Sequence, residues 1–353
     1  QGDGGDSIRN SSYSWGLPLN IPSAPWYNDQ RPTDRTYDNF NSISNLGSSS
    51  EQNFSASGGT ERTNFYISFG RTYERSHWIT WSKYQDLVET TYGHKPTRET
   101  PSDYLRNSVR LKGSHLITPR LTLSSGVSFV KIKTNNLSRG HSTDGLGRGL
   151  LSSPPDYNLI PYLHPTTQYH SSPTNNDSEK PEGPHSWNNP YWVLFEMKHG
   201  QDLNRTFGNI KLDYKPVVWG NISYNFGADI TNDFREDILP IGTFRDGGTG
   251  RSFQYQNNRM EWDSNIILSI DWNRLFKLPA KLMLGHNLNS RKSRTIKNLG
   301  EDQNVLNYYQ MENYQSVTAS EYISLVNTQS FFGQISYDIG EQLFIAAALR
   351  QDG

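Results

Sequence analysis

The sequence predicts an all-β fold, an antiparallel transmembrane β-barrel segment with long extracellular loops. Three observations point there. Apolar and polar side chains alternate with a period of two in about ten separate stretches. Short turns and long connections alternate along the chain. One apolar face also runs farther than an ordinary soluble strand of ~5–6 residues would.

The elements follow in order. A short run holding Phe54 and Ala56 meets the turn "GGTER" (58–62), after which Phe65, Ile67 and Phe69 share a face. Leu105, Val109 and Leu111 lead into "LITPR" (116–120), and Leu121, Leu123, Val127 and Phe129 lead out. Ile210, Leu212 and Tyr214 precede "KPVVWGN" (215–221), with Ile222, Tyr224, Phe226, Ala228 and Ile230 beyond it. Trp262, Ile266, Leu268, Ile270 and Trp272 precede "NRLFKLPA" (273–280), and Leu282, Leu284 and Leu288 follow. The last pair brackets "DIGE" (338–341), with Phe331, Gly333, Ile335 and Tyr337 before it and Leu343, Ile345, Ala347 and Leu349 after. Alternation broken by a short turn is a hairpin signal. Between hairpins the connections are long, near 71–102, 131–203, 231–259 and 289–328. All tight turns therefore fall at one end of the sheet and all long loops at the other, an asymmetry of outer-membrane barrels.

Composition narrows the function. Hydrophobic residues make up 33 % of the 353 residues, low for one soluble core of this size. Aromatics reach 12 %, too many for a disordered chain. A net charge of −1 gives no global field for nucleic acid, and none is expected as a partner. With no cysteine there is neither a disulfide frame nor a thiolate metal site. No window offers the ~18 apolar residues of a membrane helix, whereas alternating barrel strands would leave these same bulk statistics.

Charge placement agrees. Arg106, Arg110 and Lys112 lie opposite Leu105, Val109 and Leu111, and Arg205, Lys211 and Asp213 lie opposite Ile210, Leu212 and Tyr214. Asp263 and Asp271 lie opposite the Trp262–Trp272 face. A Lys or Arg at the lipid-facing midplane costs roughly 2–4 kcal/mol, which would enforce this segregation. A soluble sandwich with one solvated face predicts it too. Strand length separates the two readings. Trp262 and Trp272 lie roughly 33 Å apart on an extended strand. Tilted by about 40°, that projects to ~25 Å, the height of the apolar band between aromatic girdles. Trp262, Trp272, Tyr214 and Tyr337 are the expected membrane-girdle aromatics.

"SASGGTERTNFYISFG" (55–70) resembles the SGG-x-x-x-T-x-(F/Y)-x-x-S stretch of the SusC/RagA family of TonB-dependent outer-membrane transporters. "YSWGLPLN" (13–20) and "YDNFNSISNLGSSSEQNFS" (37–55) look like its S-W-G and N-F-F-x-x-G segments, with Asn41 at the second Phe. Further similarities are "YLRNSVRLKGSHLITPRLTLSSGVSFVK" (104–131), "LLSSPPDYNL" (150–159), "NNPYW" (188–192) and the closing hairpin. The resemblance implies about ten strands of a barrel of roughly 22, with a plug in the lumen. It makes 1–50 an extracellular loop region between early strands and 51–353 a partial barrel, with the plug and TonB-binding region lying outside. It also implies location in the outer membrane of a Gram-negative, Bacteroidetes-type cell. The expected partners are membrane lipid, TonB through that N-terminal region, and a SusD-like surface lipoprotein. The cargo would be an oligosaccharide or oligopeptide. No cofactor and no enzymatic activity are expected. A soluble β-rich carbohydrate-binding module and an outer-membrane adhesin are the alternatives.

Motifs for chemistry are sparse. "GGTGRS" (247–252) lacks the Lys of a phosphate loop, "HPTTQYH" (164–170) is the one close His pair, and "GDGGDS" (2–7) falls short of an EF-hand. None is taken as a metal or catalytic site. The long loops instead gather aromatics: Trp78, Trp81 and Tyr84 in one, Tyr157, Tyr162, Trp187, Tyr191 and Trp192 in another. Rings in loops suit stacking on sugars or gripping a partner. They equally suit packing the loops together over the barrel mouth.

Overall fold

Each of the five expected turns joins two strands. The computed structural model describes residues 36–88, 96–138, 144–153, 158–163, 187–340 and 342–353. Its strands are β1 (Ser48–Gly59), β2 (Thr63–Arg75), β3 (Asp103–Thr118), β4 (Leu121–Asn136) and β5 (Lys198–Val217). They continue as β6 (Gly220–Leu239), β7 (Arg251–Asp271), β8 (Ala280–Gln303), β9 (Tyr314–Ile339) and β10 (Leu343–Asp352). All ten form one antiparallel sheet in sequence order. Among the described residues β1 and β10 are not paired with each other, so the sheet is open.

The strands run well past their expected ends. Most of 289–328 is strand, because β8 extends to Gln303 and β9 starts at Tyr314. The expected 231–259 loop shrinks to the segment between Leu239 and Arg251, and 71–102 and 131–203 also lose residues to their flanking strands. The physical reason is that both faces become polar in these outer halves, as in "NSRKSRT" (289–295). The hydropathy alternation fades while the backbone ladder continues, as in Arg291↔Val326 and Lys297↔Ser320. Trp272 is a second correction. It opens a short helix, α5 (Trp272–Phe276), instead of ending a strand. Asp271 caps that helix, its carboxylate accepting from the Asn273 and Arg274 amides at 3.1 and 3.3 Å.

Register fixes the faces. Tyr214, Ile222, Leu268 and Leu284 are cross-strand neighbours in one row, and Leu212, Tyr224 and Ile266 lie in the next. This face stays uncovered: Ile210 is 48 % exposed, Ile266 46 % and Leu284 47 %. Soluble monomers rarely expose contiguous apolar patches beyond a few hundred Å². The expected segregation of Arg106, Arg110, Lys112, Lys211 and Asp263 to the opposite face holds in the register.

The turns also drift against the register. One row of paired residues runs from Asn64 through Ser114, Ser124, Lys211, Asn225, Asn265 and Asn287 to Ser330. It starts beside the turn end of β2 at Thr63 but meets β9 far short of that strand's turn end at Ile339. The lag is about eight residues over seven strand steps, which at ~3.3 Å per residue and ~4.8 Å per strand is a tilt of about 38°. Membrane barrels tilt their strands by roughly 35–45°. A level set of turns therefore requires the sheet to slant in the way a barrel wall does.

Buried apolar side chains gather at the loop end, not beneath the sheet. Three further helices there, α2 (Trp81–Val88), α3 (Leu146–Ser152) and α4 (Pro190–Phe195), pack with neighbouring loop residues into one core. A short helix, α1 (Asn39–Ile43), contributes Ile43 to it. Among the described residues, no helix is long and apolar enough to cross a membrane.

Candidate functional site: the polar wall and the loop cap

The face opposite the apolar band carries a network of polar pairs. Arg205 Nε donates to both Asp229 carboxylate oxygens at 3.0 Å, and Arg291 Nε to Glu261 Oε1 at 2.8 Å. Lys211 Nζ lies 2.8 Å from Asp213. Asn287 Nδ2 donates to Asp263 Oδ2 and Asn265 Oδ1, each at 2.8 Å. These groups alternate with the outward apolar residues because strand side chains alternate faces. The β3 row differs: Arg110 Nε donates to Ser128 Oγ at 3.1 Å, and neither Arg106 nor Lys112 meets a carboxylate among the described residues. Such a wall can hold water and polar solutes against a membrane-facing exterior.

Above it sits the cap. Trp81, Tyr84, Tyr162, Trp187, Tyr191 and Trp192 are all buried, and Trp78 packs half-buried against them. Tyr157 lies outside the described residues, as do both "HPTTQYH" and "GDGGDS". The Tyr84 ring lies 5.3 Å from Tyr162 and 5.2 Å from Tyr191, and Trp81 meets Phe195 edge-on at 5.2 Å. The expectation that these rings contact a ligand or partner is therefore revised for the buried six: packing on each other removes their faces from solvent. Mutual packing of the loops, the other expectation, is what the geometry displays.

Polar anchors that sequence reasoning passed over fix this cap. Arg98 donates to the carbonyls of Leu194 at 2.8 Å, Val193 at 2.6 Å and Asn136 at 2.8 Å, satisfying the end of α4. Burial pushes the Arg98 guanidinium down to about 9, with Glu196 pulling the other way. Tyr162 donates to Glu196 Oε1 at 2.6 Å. Asn189 caps α4, accepting from the Tyr191 amide at 2.9 Å and donating to the Leu159 carbonyl at 3.1 Å. Asn189 followed by Pro190 is a helix-start signal that was readable in "NNPYW". Tyr191 donates to the Ser42 carbonyl at 3.1 Å, and burial pushes its phenol up to about 12. Trp192 Nε1 donates to Thr243 at 3.1 Å, and Tyr309 lies 3.1 Å from Thr97, so the later connections are tied in as well.

The expected girdle residues take separate places. Tyr214 and Tyr337 lie near the turns, while Trp262 sits mid-strand in β7, stacked with Phe226 at 6.3 Å.

No protein-family model and no curated protein sequence matches the chain. Solved structures do. The chain is similar to the RagAB peptide transporter, at 14 % identity and a TM-score of 0.65 over 91 % of this chain and 34 % of that one. It is also similar to the RagAB peptide importer in its open-open state, at 16 % identity and a TM-score of 0.64, covering 95 % of this chain and 35 % of that one. The closed-closed state gives 14 % identity and a TM-score of 0.64 over 95 % and 35 %. The chain thus spans about a third of the length of the chains it matches. At this identity the likeness establishes architecture, in agreement with the SusC/RagA resemblance: in fold, this chain is a slanted, ten-stranded stretch of wall shared with the RagAB transporter.

Proposed function

We propose that this chain forms part of the wall of an outer-membrane, TonB-dependent importer of oligopeptides or oligosaccharides that works with a SusD-like surface lipoprotein. One observation carries the reading: the sheet slants by about 38° while presenting an uncovered apolar band on one face and polar pairs on the other. Hydrocarbon outside and water inside account for both faces at once. On this reading Tyr214 and Tyr337 mark the turn-side membrane boundary and Trp262 approaches the far one. The cap would brace the loops around the entrance. A peptide cargo is favoured over a sugar by the named activity of the RagAB structures alone.

Fractionation tests the reading. The intact protein should sediment with outer membranes and require detergent. Cells lacking it should lose uptake of labelled oligopeptides or oligosaccharides, and the lipoprotein should co-purify. Recovery of a monodisperse protein from the aqueous phase would replace this reading with that of a soluble carbohydrate-binding module. Membrane recovery with no uptake defect would favour an adhesin.

A further inference from the structure

A cavity of about 680 Å³ opens on the polar face at the turn end of the sheet. Two neighbouring register rows form its floor, Ser269, Met283 and Gln334 in one and Asp271, Lys281 and Ser336 in the next. They share the face of Asn265 and Asn287, so the floor belongs to the polar side of the wall. Trp219, from the turn between β5 and β6, adds an aromatic side. The size falls within the ~300–1,000 Å³ of ligand sites.

Four cations line this cavity, and they come from separate stretches of chain. Arg120 belongs to the turn between β3 and β4, Lys215 to the end of β5, Arg274 to α5 and Lys281 to the start of β8. Two are fixed by turn carbonyls: Arg120 Nη1 donates to that of Pro216 at 3.0 Å, and Arg274 Nη1 to that of Val218 at 3.2 Å. A guanidinium held through one nitrogen keeps its charge and further N–H donors. Lys215 and Lys281 form no ion pair among the described residues. Among those residues Asp271 is the one acid in the lining; it already caps α5 and lies 3.4 Å from Arg274. Asp213, farther along β5, is held by Lys211 at 2.8 Å, and Asp338 lies beyond Ser336, outside the lining.

The cavity therefore combines surplus positive charge, an aromatic side, and amide and hydroxyl groups. A small inorganic anion uses only the charge. A short peptide bearing carboxylates and one apolar side chain uses all three, with Gln334 and Ser336 offering hydrogen bonds to its backbone. We infer that this cavity docks an acidic peptide segment, carrying an apolar anchor, of a partner protein on the turn side of the sheet. The inference needs the polar face alone, so it goes beyond the importer reading and does not depend on it. An exposed ion pair is worth up to about fivefold in affinity, so neutralising both lysines should weaken binding by on the order of tenfold.

The test titrates a labelled Glu-Leu-Phe-Glu-Asp peptide into the intact purified protein and follows fluorescence anisotropy. Gln-Leu-Phe-Gln-Asn is the neutral control, and tripolyphosphate is the small-anion competitor. The parent should prefer the acidic peptide and lose that preference at high salt. The K215Q/K281Q variant should bind it about tenfold more weakly. K131Q/K292Q, which removes two cations from the opposite face, should bind like the parent. K215E/K281E should instead favour Lys-Leu-Phe-Lys-Lys. Heat-shifted gel mobility checks that the variants fold. Equal affinity of K215Q/K281Q and the parent would place the peptide elsewhere and overturn the inference. Equal losses in both glutamine variants, equal binding of the neutral peptide, or tighter binding of tripolyphosphate would overturn it too. Recovery of the protein from the aqueous phase sinks the membrane reading and leaves this titration valid.

Discussion

The sheet and the cap solve opposite problems with the same residue types. In the sheet, Tyr224, Phe226 and Ile266 point outward and the charges point in. In the cap, Tyr84, Tyr191 and Phe195 point in, and the buried Arg98 donates to the carbonyls of Leu194, Val193 and Asn136. The difference teaches that "inside" is set by the surrounding solvent. A ring is stabilised wherever water is excluded, by hydrocarbon in one region and by other rings in the other.

The largest expected effect falls on the cap. Trp81→Ala should cost about 3–5 kcal/mol by leaving a cavity among Tyr84, Tyr162 and Phe195. Hydrogen exchange should show the loops around α2 and α4 opening while the β5–β8 ladder stays protected; loss of both together would mean the two regions form one cooperative unit. Next comes the sheet. Ile266→Arg should cost roughly 2–4 kcal/mol in a bilayer. Asn265→Arg, one residue away on the polar face, should cost less. Equal costs, measured by denaturant titration in lipid, would erase the distinction between the faces.

Smaller effects sharpen the comparison. Asn189→Ala should lower cap stability by about 1 kcal/mol through loss of the α4 cap, visible as faster limited proteolysis near 187–197. The smallest is a pH effect. The Tyr191 phenol is pushed up to about 12 by burial, above its ordinary value of 10.0. Its contribution is therefore complete below pH ~10 and is lost as pH rises from there through about 12. An ultraviolet titration should show a late-ionising phenol that Tyr191→Phe removes.

Legibility in the sequence followed the same divide. Hairpins were readable where a strand faces two solvents, as at Ile222–Ile230, because alternation there is enforced. The outer halves of β8 and β9 were not, since residues such as Arg291 and Lys292 meet water on both faces and leave no period. Trp272 misled because its spacing from Trp262 fits a strand, while the helix start at Asp271 is a competing local signal. Loop aromatics could be found but not oriented. Nothing local in "NNPYW" reveals that Arg98, distant in sequence, closes the helix it begins.

The most direct test uses the absence of native cysteine. Single cysteines from 221 to 230 along β6, labelled with a fluorophore in the intact membrane-embedded protein, report which side chains touch lipid. Quenching by bromolipids should alternate, strong at 222, 224, 226, 228 and 230 and weak between them. Uniform quenching, or the opposite phase, would contradict a wall whose apolar face lies against hydrocarbon.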